Sequence, residues 1–348
     1  MQQTVLARSR RAQVRSVALR MAVGLAIGAA LLLIFLHLVN LNAVYHQLAH
    51  LSVPFMVLAG FAFLGAYSVR AVRWRRLLRP CHVSIPQAVA IYQIATFLNL
   101  LLPVQGGEVA KSLLLRRSNG IPVSRSLATV SMDKTMDLLP AVALLLILPF
   151  TSFHLGGLLW TLLILALGVL GLTVGILALA MWDRDRVIAT LTRSLAVILR
   201  GRARGRVEPS IILFVDTLLA VIRQPRVLLI AAAFTAAAAG LDALYCLFAF
   251  KTVGFTLPLS IIFYGYTLIN LAFILPTPPA HVGFTQLIGL LVFCGIFHVN
   301  RPAVAAMFLL FNPYTNLLMA CTGLFCLSRM RMSLRSVLRP ALGPDKST

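Results

Sequence analysis

The side chains that are most costly to place in hydrocarbon lie close together in this chain. Ser131-Met132-Asp133-Lys134-Thr135-Met136-Asp137 puts three ionisable groups within five positions of a largely apolar run. Asp133 and Asp137 are one helical turn apart and share a face. On insertion scales each such group costs about 2.5–3.5 kcal/mol at the bilayer centre, so the trio is expected to face a bundle interior. Upstream, Gln105-Gly106-Gly107-Glu108 follows Pro103 and opens a predicted helix running to about Arg117. Gly106 and Gly107 permit a tight turn with accessible amides, and a helix N-terminus pointing at that turn makes an anion site suited to a phosphate. Lys111 and Ser112, on the next turn, extend it. Glu108 would repel such an anion unless paired, with Lys111, Lys134 or Arg125 as candidate partners. Two plainer alternatives stand beside these readings: Glu108 caps its own helix, and the Asp-Lys-Asp group is a self-neutralising cluster that touches no substrate.

Three other sites carry weaker signals. Asp242 is a lone acid among alanines and leucines, with Lys251 or a tyrosine hydroxyl as candidate partner. His281 and Gln286 lie in Pro278-Pro279-Ala280-His281-Val282-Gly283-Phe284-Thr285-Gln286, where loop packing competes with a pH-sensing role for the histidine. The arginines from Arg184 to Arg206 precede an amphipathic stretch, 208–224, of the kind that lies among anionic headgroups. GGEVAKS lacks the G-x-x-x-x-G-K spacing, which argues against a nucleotide site. The five cysteines form no C-x-x-C pair and the seven histidines are scattered, so no metal site and no cofactor is expected. The thiols are expected to be small buried hydrophobes.

The elements that position these residues are transmembrane helices. Of the 348 residues, 60% are hydrophobic and 11% charged, with a mean hydropathy of +0.93. Soluble domains carry about 25% charged residues, so this composition excludes a water-soluble globule, a disordered chain and a disulfide-framed secreted domain. The net charge of +22 would suit nucleic acid, but the cations fall between apolar runs, which favours a membrane and no nucleic-acid partner. The fold class expected is all-α, a polytopic membrane bundle. Six stretches are long enough to cross: about 20–39, 52–69, 127–149, 158–181, 227–250 and 303–327. The first follows an arginine-rich tail but is long for a signal peptide and is not followed by an A-x-A site, so it is expected to stay as an anchor. With these spans, all but Lys134, Lys251 and Arg301 of the 31 Lys and Arg fall on one side. The positive-inside rule then places both termini in the cytoplasm.

Two further apolar stretches, 86–103 and 258–276, begin and end with proline. Counting either as a crossing reverses the later loops and spoils the charge asymmetry, so both are expected to be re-entrant. Pro86, Tyr92, Asn99 and Pro103 align with Pro258, Tyr264, Asn270 and Pro276, allowing one gap. The two stretches would enter from opposite sides, giving an inverted repeat of halves at about 20–150 and 158–328. Gln286 would then be the counterpart of Glu108. Paired, proline-interrupted segments of this kind point to a transporter site at the midplane, although coincidence in low-complexity apolar sequence gives the same alignment. The domain organisation expected is one membrane domain, 20–330, between basic cytoplasmic tails at 1–19 and 331–348.

At these motifs the chain resembles the transmembrane region of lysylphosphatidylglycerol synthases and its stand-alone flippase-like relatives, some of them associated with hopanoid biosynthesis. The residues that carry the resemblance are Arg70-Ala-Val-Arg73-Trp74, Asn99-Leu-Leu-Leu-Pro103 leading to Gly107-Glu108, Ser126-Leu-Ala-Thr with Asp133-Lys134 and Asp137, and the Pro279…Gly283…Gln286 loop. Gln105, Ala280 and Gln286 depart from the family's usual Arg, Gly and Glu, so the second loop has lost its acid. The resemblance covers about 20–330, without an aminoacyl-transferase domain. It implies a multi-pass protein of a bacterial inner membrane that moves lipids between leaflets. Its headgroup site would then be formed by Asn99, Gly106, Gly107, Glu108, Lys111, Asp133, Lys134, Asp137, Asn270, Gly283 and Gln286. The expected partners are membrane lipids with an anionic or amphipathic headgroup, and a lipid-biosynthetic enzyme. An accessory subunit or an integral headgroup transferase remains as an alternative to the carrier.

Overall fold

Hydrocarbon offers the backbone no hydrogen-bond partner, so a segment crossing it must satisfy its own N–H and C=O groups. A computed structural model shows how this chain does so. It describes residues 22–101, 106–141, 143, 157–198, 204–273, 275 and 277–332, and among these the regular structure is entirely helical. The helices are α1 (Ala22–His37), α2 (Leu41–Leu48), α3 (Val53–Leu77), α4 (Ile85–Leu101), α5 (Gly106–Asn119) and α6 (Val123–Met136). They continue with α7 (Gly157–Trp182), α8 (Arg184–Ile198), α9 (Arg204–Ile222), α10 (Pro225–Thr252), α11 (Leu259–Ala272), α12 (Phe284–Gly289) and α13 (Arg301–Arg329). A 3-10 turn at Pro279–His281 precedes α12, and a π-helical stretch, Leu290–Ile296, follows it.

Among the described residues, α3, α10 and α13 are long and apolar enough to cross a bilayer, at 25, 28 and 29 residues. These are the predicted spans two, five and six. α7, 26 residues without a charged side chain, coincides with span four. Their outer faces carry Phe61, Leu172, Leu229 and Phe325, each about 70% exposed. Soluble monomers rarely present such apolar patches, and lipid is the solvent that fits. Trp182 closes α7 at 92% exposure, as an interfacial anchor does.

Three predicted boundaries change. Span one ends at His37, and α2 departs at 91°, its start fixed by Asn40, whose Oδ1 accepts from the amides of Asn42 and Ala43. Span two was expected to stop at 69, yet α3 continues to Leu77 and carries Arg70, Arg73 and Trp74 with it. Span three breaks after Met136: residues 137–138 turn before helix resumes at 139. Pro140 explains the break, because its ring clashes with the carbonyl four residues earlier, that of Met136. Residues 144–149, the rest of that predicted span, lie outside the described residues, as do the two tails apart from 331–332.

The chain divides into two compact units. One comprises 1–64, 92–110 and 242–348; the other comprises 65–91 and 111–241. The first is built on aromatic contacts, with Tyr245 set against Phe63, Tyr266 and Phe311, and Phe293 against Phe250 and Phe308. In the second, Met132 and Met136 of α6 pack with Leu77, Val221 and Ala231. The amphipathic stretch forms the partner of a helix pair: Ile211, Val215 and Leu219 of α9 cover Val187 and Ile188 of α8. Asp216 on its outer side is bracketed by Arg184, at 2.6 and 2.9 Å.

Candidate functional site

The second unit encloses an ion network centred on a residue that the charge count had assigned to a cytoplasmic loop. Arg73, one turn from the end of α3, is fully buried. Its Nε–H donates to Asp133 Oδ1 at 2.8 Å and its Nη1 to Thr235 Oγ1 at 2.8 Å. Nη2 donates to the Asp133 carbonyl at 3.1 Å and to Asp137 Oδ1 at 2.6 Å. Four bonds from one guanidinium use nearly all of its five donors. Arg70, one turn earlier on α3, adds a second cation 3.7 Å from Asp137 Oδ1. Lys111 Nζ lies 3.7 Å from Asp133 Oδ2 and 4.9 Å over the ring of Trp74, whose Nε1–H donates to Thr129 Oγ1 at 3.2 Å.

The local geometry follows from spacing. Arg70 and Arg73 are three apart on α3, and Asp133 and Asp137 are four apart on α6, so each pair presents one face. Arg70, Arg73 and Lys111 meet the carboxylates of Asp133 and Asp137. A buried charge is tolerated only when paired and hydrogen-bonded, and Asp133, buried completely, satisfies that condition through Arg73 and Lys111. Lys134 sits between the two carboxylates in sequence, half-buried on the same helix. Lys111, Asp133 and Asp137 thus lie within one network. Arg73, Arg70 and Thr235 were missed as members. The signal for the arginines was present in the Arg70-Ala-Val-Arg73-Trp74 element and its helical match to the Asp pair; Thr235, among alanines, offered none.

The first unit holds the tips of both predicted hairpins. Between α4 and α5 the chain folds back so closely that a Cβ on Gly107 would collide with the Ala95 carbonyl oxygen and lie 2.6 Å from Asn99 Oδ1. The Gly107 amide donates to that same oxygen at 2.7 Å. It is therefore engaged inside the hairpin rather than presented to an anion, and Asn99 acts as the hairpin's clasp. Gly106 and Glu108 stand in the first turn of α5, with Glu108 Oε2 buried. Residues 102–105, the remainder of the expected anion loop, lie outside the described residues.

The second tip is held differently. Ala280 and His281 both adopt positive φ, at 55° and 56°, and Gly283 follows at 76°. A Cβ on Gly283 would lie 2.5 Å from the Gly28 carbonyl oxygen of α1, so the loop rests directly on that helix. Two asparagines of α13, one turn apart, retain the strained backbone. Asn316 donates to the Ala280 carbonyl at 3.0 Å, and Asn312 to the His281 carbonyl at 3.4 Å and to buried Gln286 Oε1 at 3.2 Å. His281 Nδ1 bonds Thr277 Oγ1 at 2.9 Å, and its ring meets Phe273 edge-on. These contacts give the histidine a packing role. Asn312 and Asn316 were not singled out from the sequence, although polar side chains at helical spacing inside an apolar span were the signal. Asn270, aligned with Asn99, is exposed on α11, so the two asparagines occupy different surroundings.

Other expectations fall as follows. Lys251, a candidate partner for buried Asp242, lies over the Phe55 ring at 5.4 Å. Of the thiols, only Cys246 is fully buried, and Cys321 is exposed. Among the described residues no three His, Cys, Asp or Glu side chains are arranged to hold a metal ion. A cavity of about 400 Å³ lies beside α8, lined by Arg184, Arg193, Thr192 and Ile212, away from the predicted site residues.

Described residues that are helical throughout their regular structure, with apolar outer faces and a largely buried ion network within one unit, define a helical integral membrane protein. The family described as the lysylphosphatidylglycerol synthase TM region matches residues 21–323, and the chain belongs to it. No curated protein and no solved structure matches the chain.

Proposed function

We propose that this protein is a lipid translocator of a bacterial inner membrane, with both termini in the cytoplasm and its two re-entrant hairpins meeting near the midplane. The headgroup is taken up at the Arg70–Arg73–Asp137 end of the ion network while the acyl chains remain in the bilayer. The observation that carries this reading is the gradient of burial across the network. Arg73, Asp133 and Lys111 are sealed at 0–1% exposure, whereas Arg70 and Asp137 open to 17% and 27%. An arginine-bearing cluster with one accessible edge suits a headgroup bearing a negative charge. The buried ionisable cluster supports the same reading, since intramembrane ionisable residues mark substrate paths. The driving force is a gradient or consumption of the lipid downstream.

Reconstitution of the purified protein into liposomes containing fluorescent phosphatidylglycerol tests this. Leaflet exchange with the lipid unchanged supports the carrier. A chemically altered headgroup identifies a transferase, and exchange that needs an added biosynthetic enzyme identifies an accessory subunit. Glu108→Gln and Lys134→Ala are expected to abolish exchange without impairing membrane insertion; full activity in both removes these residues from the mechanism.

A further inference from the structure

We infer that the Asp137 carboxylate occupies the place of a phosphate, and that an incoming phosphate-bearing headgroup displaces it from Arg70 and Arg73. The inference rests on the lipid-binding reading above and specifies how the site is occupied before its ligand arrives.

The two carboxylates of the network are held in unlike ways. Asp133 is engaged at Oδ1 by Arg73 Nε, faces Lys111 through Oδ2, and gives its backbone carbonyl to Arg73 Nη2. It is sealed at 0% exposure, so removing it dismantles the cluster. Asp137 is gripped through Oδ1 alone, by Arg73 Nη2 at 2.6 Å and Arg70 Nε at 3.7 Å, and its side chain is 27% exposed. Carboxylate and phosphate are the two anions whose oxygens match the guanidinium fork. Two guanidiniums one turn apart, converging on one oxygen of a partly exposed carboxylate, therefore make a seat that a phosphate oxygen fits equally well.

The position of Asp137 in its helix makes the exchange inexpensive. It is the C-cap of α6, where the helix dipole presents its negative end and disfavours an added carboxylate. The arginines hold its side chain there, and the helix does not. Its backbone N–H stays on the Asp133 and Lys134 carbonyls whichever way the side chain turns, so leaving the arginines breaks no helical hydrogen bond. Arg73 remains anchored by Asp133 and Thr235 through Nε and Nη1. Only Nη2 and Arg70 change partner. The occupied resting state keeps an anion against the two guanidiniums until a ligand of the same charge replaces the carboxylate.

The test is isothermal titration calorimetry on the full-length protein in neutral detergent, with dihexanoyl-phosphatidylglycerol, dihexanoyl-phosphatidylcholine and inorganic phosphate as probes. If Asp137 competes with the ligand, Asp137→Asn binds the phosphatidylglycerol probe more tightly than wild type, by about tenfold. Arg70→Ala binds it about tenfold more weakly. Equal or weaker binding by Asp137→Asn, with clear binding by wild type, overturns the exchange and leaves the lipid reading intact. Absence of binding by any of the three probes to wild type and variant overturns the lipid reading itself. A gain on Asp137→Asn seen equally with inorganic phosphate upholds the exchange and assigns the seat to free phosphate. Should Asp137→Asn not fold, Arg70→Ala decides: unchanged affinity for the phosphatidylglycerol probe overturns the exchange.

Discussion

Two buried polar clusters, one in each unit, solve the same problem with different chemistry. In the second unit Arg73, Asp133, Asp137, Arg70 and Lys111 hold α3, α5 and α6 through full charges. In the first, Asn312, Asn316 and Gln286 hold the Pro278–Gln286 loop against α13 through neutral amides. A neutral amide network is satisfied once its donors and acceptors are matched. A charged one must also compensate its charge, and it becomes intolerant of losing a fully buried partner such as Asp133. The amide cluster retains a backbone shape; the ion cluster retains a shape and brings two arginines to a partly exposed edge beside Asp137. That edge makes the ion cluster the better candidate for binding an anion and the amide cluster the better candidate for a structural clasp.

The largest expected effect follows from removing the keystone charge. Asp133→Ala takes from Arg73 and Lys111 a fully buried carboxylate and should cost about 3–5 kcal/mol, visible as loss of the monodisperse peak after detergent extraction. The paired Arg73→Met/Asp133→Leu variant removes the fully buried ion pair as a unit, so it should recover part of that stability while showing no lipid exchange in liposomes. Recovery of exchange along with stability would reduce the ion cluster to a structural element and erase the contrast between the two units.

Next in size is the loop itself. Gly283→Ala places a Cβ in a left-handed conformation, for about 1–3 kcal/mol, and against the Gly28 carbonyl as well. The thermal midpoint in detergent should fall, and an unchanged midpoint would show that the loop does not rest on α1. Asn312→Ala leaves the buried Gln286 oxygen without its donor, a loss of about 1–3 kcal/mol. Exchange measured below the lowered midpoint should be close to that of wild type, because only the clasp is touched. A variant stable as wild type but inactive would move the amide cluster into the mechanism.

The smallest effect is at the surface pair between α8 and α9. Arg184, hydrogen-bonded to Asp216, holds that carboxyl below its ordinary value of 3.8. The pair therefore contributes stability above the ordinary value and loses it as pH falls through the lowered one. Both side chains are 43% exposed, and salt screens them. Acid-unfolding curves of wild type and Arg184→Gln should separate only slightly, converging below the lowered value and in high salt. A separation as large as that of Asp133→Ala would show that the helix pair carries far more of the fold than its exposure suggests.

Much of the architecture was legible in advance. Apolar runs of sufficient length give helices in a membrane, and five of the six predicted spans coincide with described helices. Asp133, Lys134 and Asp137 announced themselves because charge inside an apolar run requires a partner. Arg73 did not, since a cation after an apolar run reads as a loop residue until the helix is known to continue to Leu77. Gly107 and Asn99 were marked as ligand-facing, and the structure places them against each other, a relation that depends on a fold-back invisible to periodicity.

Composition and hydropathy period determined by themselves that the chain is helical and bilayer-embedded, because the solvent of each segment and the self-sufficiency of helical hydrogen bonding are local matters. Which cation met which carboxylate was decided only in three dimensions. Pairing depends on where helices end and which faces meet, and these were settled by a proline four residues past a carbonyl and by glycines without a side chain in the way.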